Sequence, residues 1–276
     1  MPAPGGPRLG KPKLGKQGAD AERRRDGSRS SLVADVLADV IAARTAQPGA
    51  QRLDIVDVGA GTGGFAVSLA SGGHRVTVVD PSPDALAAAR WRADEAGVSL
   101  TEVQGEAADL PDLVGTASAD LVICHNVLEY VDSPAAALAA VAQVLRPGGT
   151  VSVLAANTIA AVLQRALTGK YAEARALLPG TGVPGAGPAG DRHEERAAPS
   201  AGASRRFTLP ELTALITGAG LRVGEAHGIR IFSGLLPGAG ADLTTVDALR
   251  ELEEAAATCP PLRDIATRLH VLGHRA

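Results

Sequence analysis

Residues 56–70 read VDVGAGTGGFAVSLA, and the six positions 59–64 hold four glycines between one apolar run and another. Gly59, Gly61 and Gly64 satisfy the pattern G-x-G-x-x-G. The preceding "LDIVDVG" has the apolar, β-branched character of a buried strand, and "GGFAVSLASGG" that of a helix stopped at Gly72 and Gly73. A strand, a glycine turn and a helix in that order bring bare backbone amides up to a ligand at the carboxyl end of a sheet. The ligand expected there is a nucleotide or an adenosyl compound.

Asp80 follows Gly59 by 21 residues and ends a second expected strand, "HRVTVVD". A carboxylate there can accept both ribose hydroxyl protons, or it can cap the helix that starts at "PSPDAL". Charge separates the candidate ligands. A dinucleotide would bring an anionic pyrophosphate to the loop, where the carboxylate of Asp57, two residues before Gly59, is unfavourable. S-adenosylmethionine carries a sulfonium and an ammonium and no phosphate, so the same carboxylate favours it over NAD.

Outward from the loop, "SLVADVLADVIAA" (31–43) repeats apolar residues at helical spacing, with Ser30 or Ser31 as a cap. "SPDALAAARWRADEAG" and "SPAAALAAVAQVLRPGG" read as helices, the second closed by its Pro-Gly-Gly turn; "SLTEVQGE", "ADLVICHN" and "TVSVLAA" read as strands. Strand and helix alternate over residues 53–155, which predicts an α/β fold with a doubly wound, mostly parallel sheet and helices on both faces. Beyond it come an expected helix over 157–177, a helix in "LPELTALITGAG", strands in "LRVGEAHGIRIF", a helix in "TTVDALRELEEAAAT" and a last strand near "TRLHVLGH".

One domain over 28–276 suits a chain of 276 residues. Residues 1–27 read as a disordered basic arm and 179–204, rich in Gly and Pro, as a flexible insertion. Residues 1–30 hold eight basic and three acidic side chains, so with a net charge of −3 the remainder of the chain is near −8. Cys124 and Cys259 stand alone, and no CxxC or HExxH occurs; neither a disulfide framework nor a metal site is expected. No stretch reads as a signal peptide or membrane span, which predicts a cytoplasmic setting.

"VDVGAGTGGFAVSLA", "VTVVDPSP", "VQGEAADLP", "ADLVICHNVLEYVDSP" and "VLRPGGTVSVL", in that order, resemble the successive motifs of class I S-adenosylmethionine-dependent methyltransferases. The resemblance implies a seven-stranded Rossmann-like sheet whose last strand, "TRLHVLGH", runs antiparallel. Within that superfamily, "HNVLEYVDSPAAALAAVAQVLRPGGTVSVL", "NTIAAVLQRALTGKYAEA", "GIRIFSG" and "LRELEEAAAT" are most similar to bacterial tRNA 5-carboxymethoxyuridine methyltransferases. That likeness implies cofactor contacts from Arg29, from Gly59 and Ala60 with Asp57 and Gly61 beside them, from Asp80 and the following Pro81, from Glu106 and Ala107 near the adenine, and from His125. His125 is expected to bind rather than to transfer a proton.

Methyl transfer from a sulfonium is an in-line displacement, in which positioning does most of the work. A carboxylate acceptor is already ionised and needs no base, and the sequence offers no obvious base besides His125. A carboxylate needs a cation instead, and Arg230 or the pair Arg205 and Arg206 can supply one. Tyr130 and Glu129 are expected near the acceptor, with Lys170 and Tyr171 available to touch RNA. The resulting expectation is methylation of a wobble-uridine carboxylate in tRNA. A small-molecule acceptor with the same cofactor site is the alternative, and an NAD-binding oxidoreductase or a non-catalytic cofactor binder stands further off. The acid-rich body and the weakly basic 179–204 run argue against a phosphate-gripping surface, and the basic arm can compensate.

Overall fold

A computed structural model describes residues 32–46, 52–178, 205–235 and 243–276. The expected basic arm, Arg29 and the 179–204 insertion lie outside the described residues.

Helix α1 (32–45) leads into β1 (Asp54–Val58), α2 (Gly64–Ser71), β2 (Arg75–Asp80), α3 (Pro83–Ala96) and β3 (Thr101–Gln104). A 3₁₀ turn at Ala107–Asp109 precedes α4 (Leu110–Val114), β4 (Ala119–His125), α5 (Pro134–Val144) and β5 (Leu145–Ala156). Ser82 and Ser133 cap α3 and α5, each accepting a hydrogen bond from a backbone N–H three residues on, with proline just behind. The Pro-Gly-Gly stretch expected to close α5 instead falls within β5, which pairs with β4 from Leu145 and, after an irregularity, again from Thr150.

The single expected helix over 157–177 is two, α6 (Thr158–Leu167) and α7 (Tyr171–Ala176), broken at Gly169. There follow α8 (Leu209–Gly218), β6 (Arg222–Ile229), α9 (Phe232–Leu235), α10 (Leu243–Ala256), α11 (Pro260–Asp264) and β7 (Arg268–His274). Thr208 and Glu211 form a reciprocal capping box on α8.

The seven strands lie in the order β3-β2-β1-β4-β5-β7-β6, and β7 is antiparallel to both its neighbours. One sheet face packs on α4, α5 and α8 through Leu138, Val141, Leu212 and Ile216; the other packs on α1 and α2 through Val33, Leu37, Ala66 and Leu69. With few aromatics in the chain, these layers are closed almost entirely by Ala, Val, Leu and Ile. Strand order reverses between β1 and β4, which leaves a crevice at their carboxyl ends.

Candidate active site

The loops leaving β1 and β4 meet at that crevice. Gly59 ends β1 with φ +62°, and a Cβ there would stand 2.6 Å from Val127 Cγ2 in the loop after β4. Only glycine permits both the conformation and the approach. Gly63 is the second such position, with φ +73° and a Cβ that would stand 2.7 Å from Ala89 Cβ on α3. The tight helix–helix approach is therefore made at Gly63, whereas Gly64, the third glycine of the pattern, takes ordinary helical geometry. Beside Gly61 a Cβ would meet nothing within 4 Å, so open space borders the loop.

Asp80 closes the crevice on the β2 side. Its Oδ2 accepts the Gly61 N–H at 3.2 Å and its Oδ1 the Ser82 N–H at 2.9 Å. The carboxylate thus fixes the glycine loop relative to the start of α3, while Ser82 caps that helix. Pro81 is exposed and its carbonyl accepts from Gln104 Nε2. Glu106 and Ala107 sit one strand further out, Glu106 exposed and Ala107 buried, in the turn that follows Gln104, the register partner of Asp80. Ala60 packs against the α1 and α2 layer.

Asp57 is buried in β1 with no hydrogen-bond or ion-pair partner among the described residues. Burial, and after it the charge of Asp80, push its carboxyl up to about 7. An unpartnered carboxylate beside an open loop suits a cationic ligand and repels an anionic one. His125 ends β4, its ring edge-on to Phe65 of α2 with centroids 5.3 Å apart. Burial holds that imidazole down to about 3, hence neutral, and its Nδ1 is buried without a protein partner. Asp57, Gly61, Asp80 and His125 thus come together at the carboxyl edge, and this donor set fits the amino-acid, sulfonium and ribose groups of an adenosyl cofactor.

On the β5 side a cavity of about 200 Å³ is lined by Arg206, Arg230 and Arg268, with Ala156, Asn157 and Gln164 in its wall. It adjoins the crevice: Arg268 Nη1 donates to Asn126 Oδ1, one residue past His125. Glu129 is 3% exposed beside it; Oε1 accepts the Ala156 N–H at 2.8 Å and lies 3.7 Å from Arg268 Nη1, and Oε2 has no partner. Burial raises the Glu129 carboxyl.

Arg230 was expected on a strand between two isoleucines. Instead β6 ends at Ile229, and Arg230 turns with φ +59° into the cavity wall. Arg205 points elsewhere, donating to the Val131 carbonyl at 2.9 Å. Tyr130, Lys170 and Tyr171 are exposed. Arg268, Asn157 and Gln164 carry no local signal in the sequence; Arg268 enters the site because β7 runs antiparallel beside β5, and Asn157 and Gln164 because α6 follows the end of β5. A larger hollow of about 540 Å³ lies at the amino ends of β1 and β2, the edge away from the crevice.

Residues 56–153 match the methyltransferase domain family. A ubiquinone biosynthesis O-methyltransferase of Xanthomonas campestris pv. campestris (strain B100) is 35% identical over 162 residues, covering 56% of this chain and 64% of that protein. The tRNA 5-carboxymethoxyuridine methyltransferase of Escherichia coli (strain K12) is 32% identical over 136 residues, 49% of this chain and 52% of that protein. The chain thus spans between half and two thirds of the length of these relatives. Among solved structures, a SAM-dependent methyltransferase of Methanosarcina mazei superposes with a TM-score of 0.55 over 85% of this chain and 96% of that one, at 18% identity. Residues 56–153 thus carry a methyltransferase domain, and the fold is the one seen in solved S-adenosylmethionine-dependent methyltransferases. The methyltransferase domain and its S-adenosylmethionine-dependent structural neighbours indicate S-adenosylmethionine as the cofactor. Among the described residues no helix is long and apolar enough to cross a membrane, and no cluster of His, Cys, Asp and Glu is placed to hold a metal.

Proposed function

We propose that this protein methylates a carboxylate, that of 5-carboxymethoxyuridine at the wobble position of tRNA. The observation that carries the reading is the cavity walled by Arg206, Arg230 and Arg268, one residue from the end of β4. Three guanidiniums around a small volume favour a planar anion, which each can grip through paired N–H donors. Bound S-adenosylmethionine supplies the methyl group; Asp57, Asp80 and the glycine loop orient it, and the arginines hold one carboxylate oxygen while the other faces the methyl. No proton need leave the acceptor, which agrees with a crevice whose single imidazole is kept neutral. The similarity to the Escherichia coli tRNA enzyme supports the tRNA acceptor.

A second reading places a small acidic metabolite in the same cavity. The acidic body of the chain favours it, and so does the likeness to a ubiquinone biosynthesis O-methyltransferase.

The test is purified protein with labelled S-adenosylmethionine and tRNA taken from a strain lacking the gene, with nucleosides read by mass spectrometry. Appearance of the wobble-uridine methyl ester supports the first reading. Turnover of small carboxylates with unchanged tRNA moves the second to first place. Arg230→Ala is expected to raise the KM for acceptor at least tenfold and to leave cofactor Kd within about twofold, as calorimetry would show.

A further inference from the structure

Arg268 opens β7 and stands in the wall of the arginine cavity, beside the end of β4. Its Nη1 donates to Asn126 Oδ1, and the Glu129 carboxylate lies 3.7 Å from the same nitrogen, too far for a hydrogen bond. Among the described residues Asn126 is the one hydrogen-bond acceptor that this side chain reaches. Nε and Nη2 have no partner there, and neither is among the side-chain atoms buried without one. With the side chain 37% exposed, both nitrogens are open to a ligand. One corner of the guanidinium is held, and the edge formed by Nε and Nη2 is left to the cavity.

The manner of holding decides what the arginine can do. Arg44, Arg75, Arg90 and Arg146 are each paired with a carboxylate, which cancels much of the charge a ligand would feel. Asn126 is a neutral amide, so it fixes the guanidinium and leaves its charge unspent. Glu129 is buried, and burial raises its carboxyl toward the neutral form. Nε–H and Nη2–H lie side by side as a parallel pair of donors, which matches the two oxygens of a carboxylate. The backbone of Asn126 is itself fixed. It stands one residue past His125 with φ +58°, a left-handed conformation that asparagine tolerates better than most side chains, and its N–H donates to the Leu154 carbonyl at 2.7 Å.

We propose that Arg268 selects a carboxylate acceptor through its Nε and Nη2 donors, and that Asn126 is the positioning residue that presents them. The proposal rests on the reading of the cavity as the acceptor site. Such a grip uses one lone pair on each carboxylate oxygen, so the oxygen that faces the methyl keeps another with which to attack.

The test is calorimetry on the full-length chain in the presence of S-adenosylhomocysteine, comparing the nucleoside 5-carboxymethoxyuridine with its methyl ester, which has the same ring and no charge. The unaltered chain is expected to bind the acid about tenfold or more tightly than the ester, as hydrogen bonds between charged groups allow. Asn126→Gly keeps the backbone conformation and is expected to lose that preference, with the ester and S-adenosylhomocysteine bound within about twofold of the unaltered chain. Arg268→Gln is expected to lose it likewise. Asn126→Asp, which serves where Asn126→Gly does not fold, holds the guanidinium but spends its charge. It is expected to lose the preference while the ¹⁵N–¹H signal of Arg268 Nε, assigned with Arg268→Gln, stays as ordered as in the unaltered chain. In Asn126→Gly that signal is expected to broaden. A preference that survives Arg268→Gln or Asn126→Gly overturns the proposal, as does an equal loss of both nucleosides and S-adenosylhomocysteine, the mark of a structural clamp. A chain that binds neither nucleoside overturns the uridine reading instead, and phenoxyacetate, which carries the same ether-linked carboxymethyl group, then decides. A shift of the Arg268 Nε signal in the unaltered chain and none in Asn126→Gly supports the assignment, and any other pattern overturns it.

Discussion

At the residue scale, Asp57 has the most telling surroundings. Its carboxyl is buried, unpartnered and near Asp80 and the Cys124 thiol, and its pKa is pushed up to about 7 from 3.8. A raised folded-state value stabilises the ligand-free fold fully below about pH 4, and this contribution is lost as the pH climbs through 7. Each pH unit between the two values is worth about 1.4 kcal/mol. Asp57→Asn removes the dependence. Its melting temperature is therefore expected to match the parent near pH 4.5 and to exceed it by several degrees at pH 8, as calorimetric scans would show. Binding runs the other way: a cationic ligand draws Asp57 into its charged form, so S-adenosylmethionine should bind more tightly as pH rises from 6 to 8. That slope should flatten in Asp57→Asn, together with about a tenfold loss at pH 8. A variant that binds the cofactor as well as the parent would remove Asp57 from the site. Asp57, Gly59 and Asp80 were legible in the sequence because one local β1–α2–β2 unit places them. Arg268 was not, because its place beside the crevice arises from β5 and β7, strands whose pairing spans more than a hundred residues.

At the scale of elements, the cavity proposed to take the acceptor depends on how α10 grips the end of β6. Glu253 of α10 accepts three backbone N–H bonds, from Ile231 at 2.7 Å, Phe232 at 3.0 Å and Ser233 at 2.8 Å. These are the amides that a continuing strand would have spent on pairing, which is why the apolar stretch "GIRIF" stops being a strand at Ile229. Arg230 takes up the reversal in a left-handed conformation that costs a non-glycine residue of order 1 kcal/mol. Alternation alone cannot foresee such a stop, since the capping side chain comes from more than twenty residues away. The first five strands suffered no such interference, so their apolar periodicity read true. Glu253→Ala is expected to lower unfolding free energy by about 2–3 kcal/mol, measured in urea. If the grip sets Arg230, its KM for acceptor should rise severalfold more than its Kd for S-adenosylhomocysteine. Proportional changes in both would mean that α10 supports the fold without shaping the cavity.

At the scale of the whole molecule the distribution of charge decides what can approach. Near the amino ends of the strands Arg44 of α1, Arg75 and Arg146 are paired with Asp54 and Asp120 in one ion-pair network. At the carboxyl end Arg206, Arg230 and Arg268 line one cavity, and Arg268 stands 3.7 Å from the Glu129 carboxylate. On the proposed reading that cavity serves a single anionic group, whereas a tRNA brings a whole phosphate backbone to a body near −8. Residues 1–26 hold seven basic side chains against three acidic ones, the densest positive stretch in the chain. Each phosphate contact releases condensed counterions, so affinity falls with salt at a log–log slope of about −0.7 to −0.9 per contact. If tRNA is the acceptor and the arm carries the phosphate contacts, deleting residues 1–26 should weaken tRNA binding about tenfold or more at 100 mM salt and make that slope shallower by two to four. Methylation of a free 5-carboxymethoxyuridine nucleoside should be unaffected, because the arginine cavity is untouched. Filter binding across a salt series, beside nucleoside turnover, reads both quantities. An unchanged slope with unchanged turnover would leave the cavity as the chain's anion site and shift the acceptor toward a small acid.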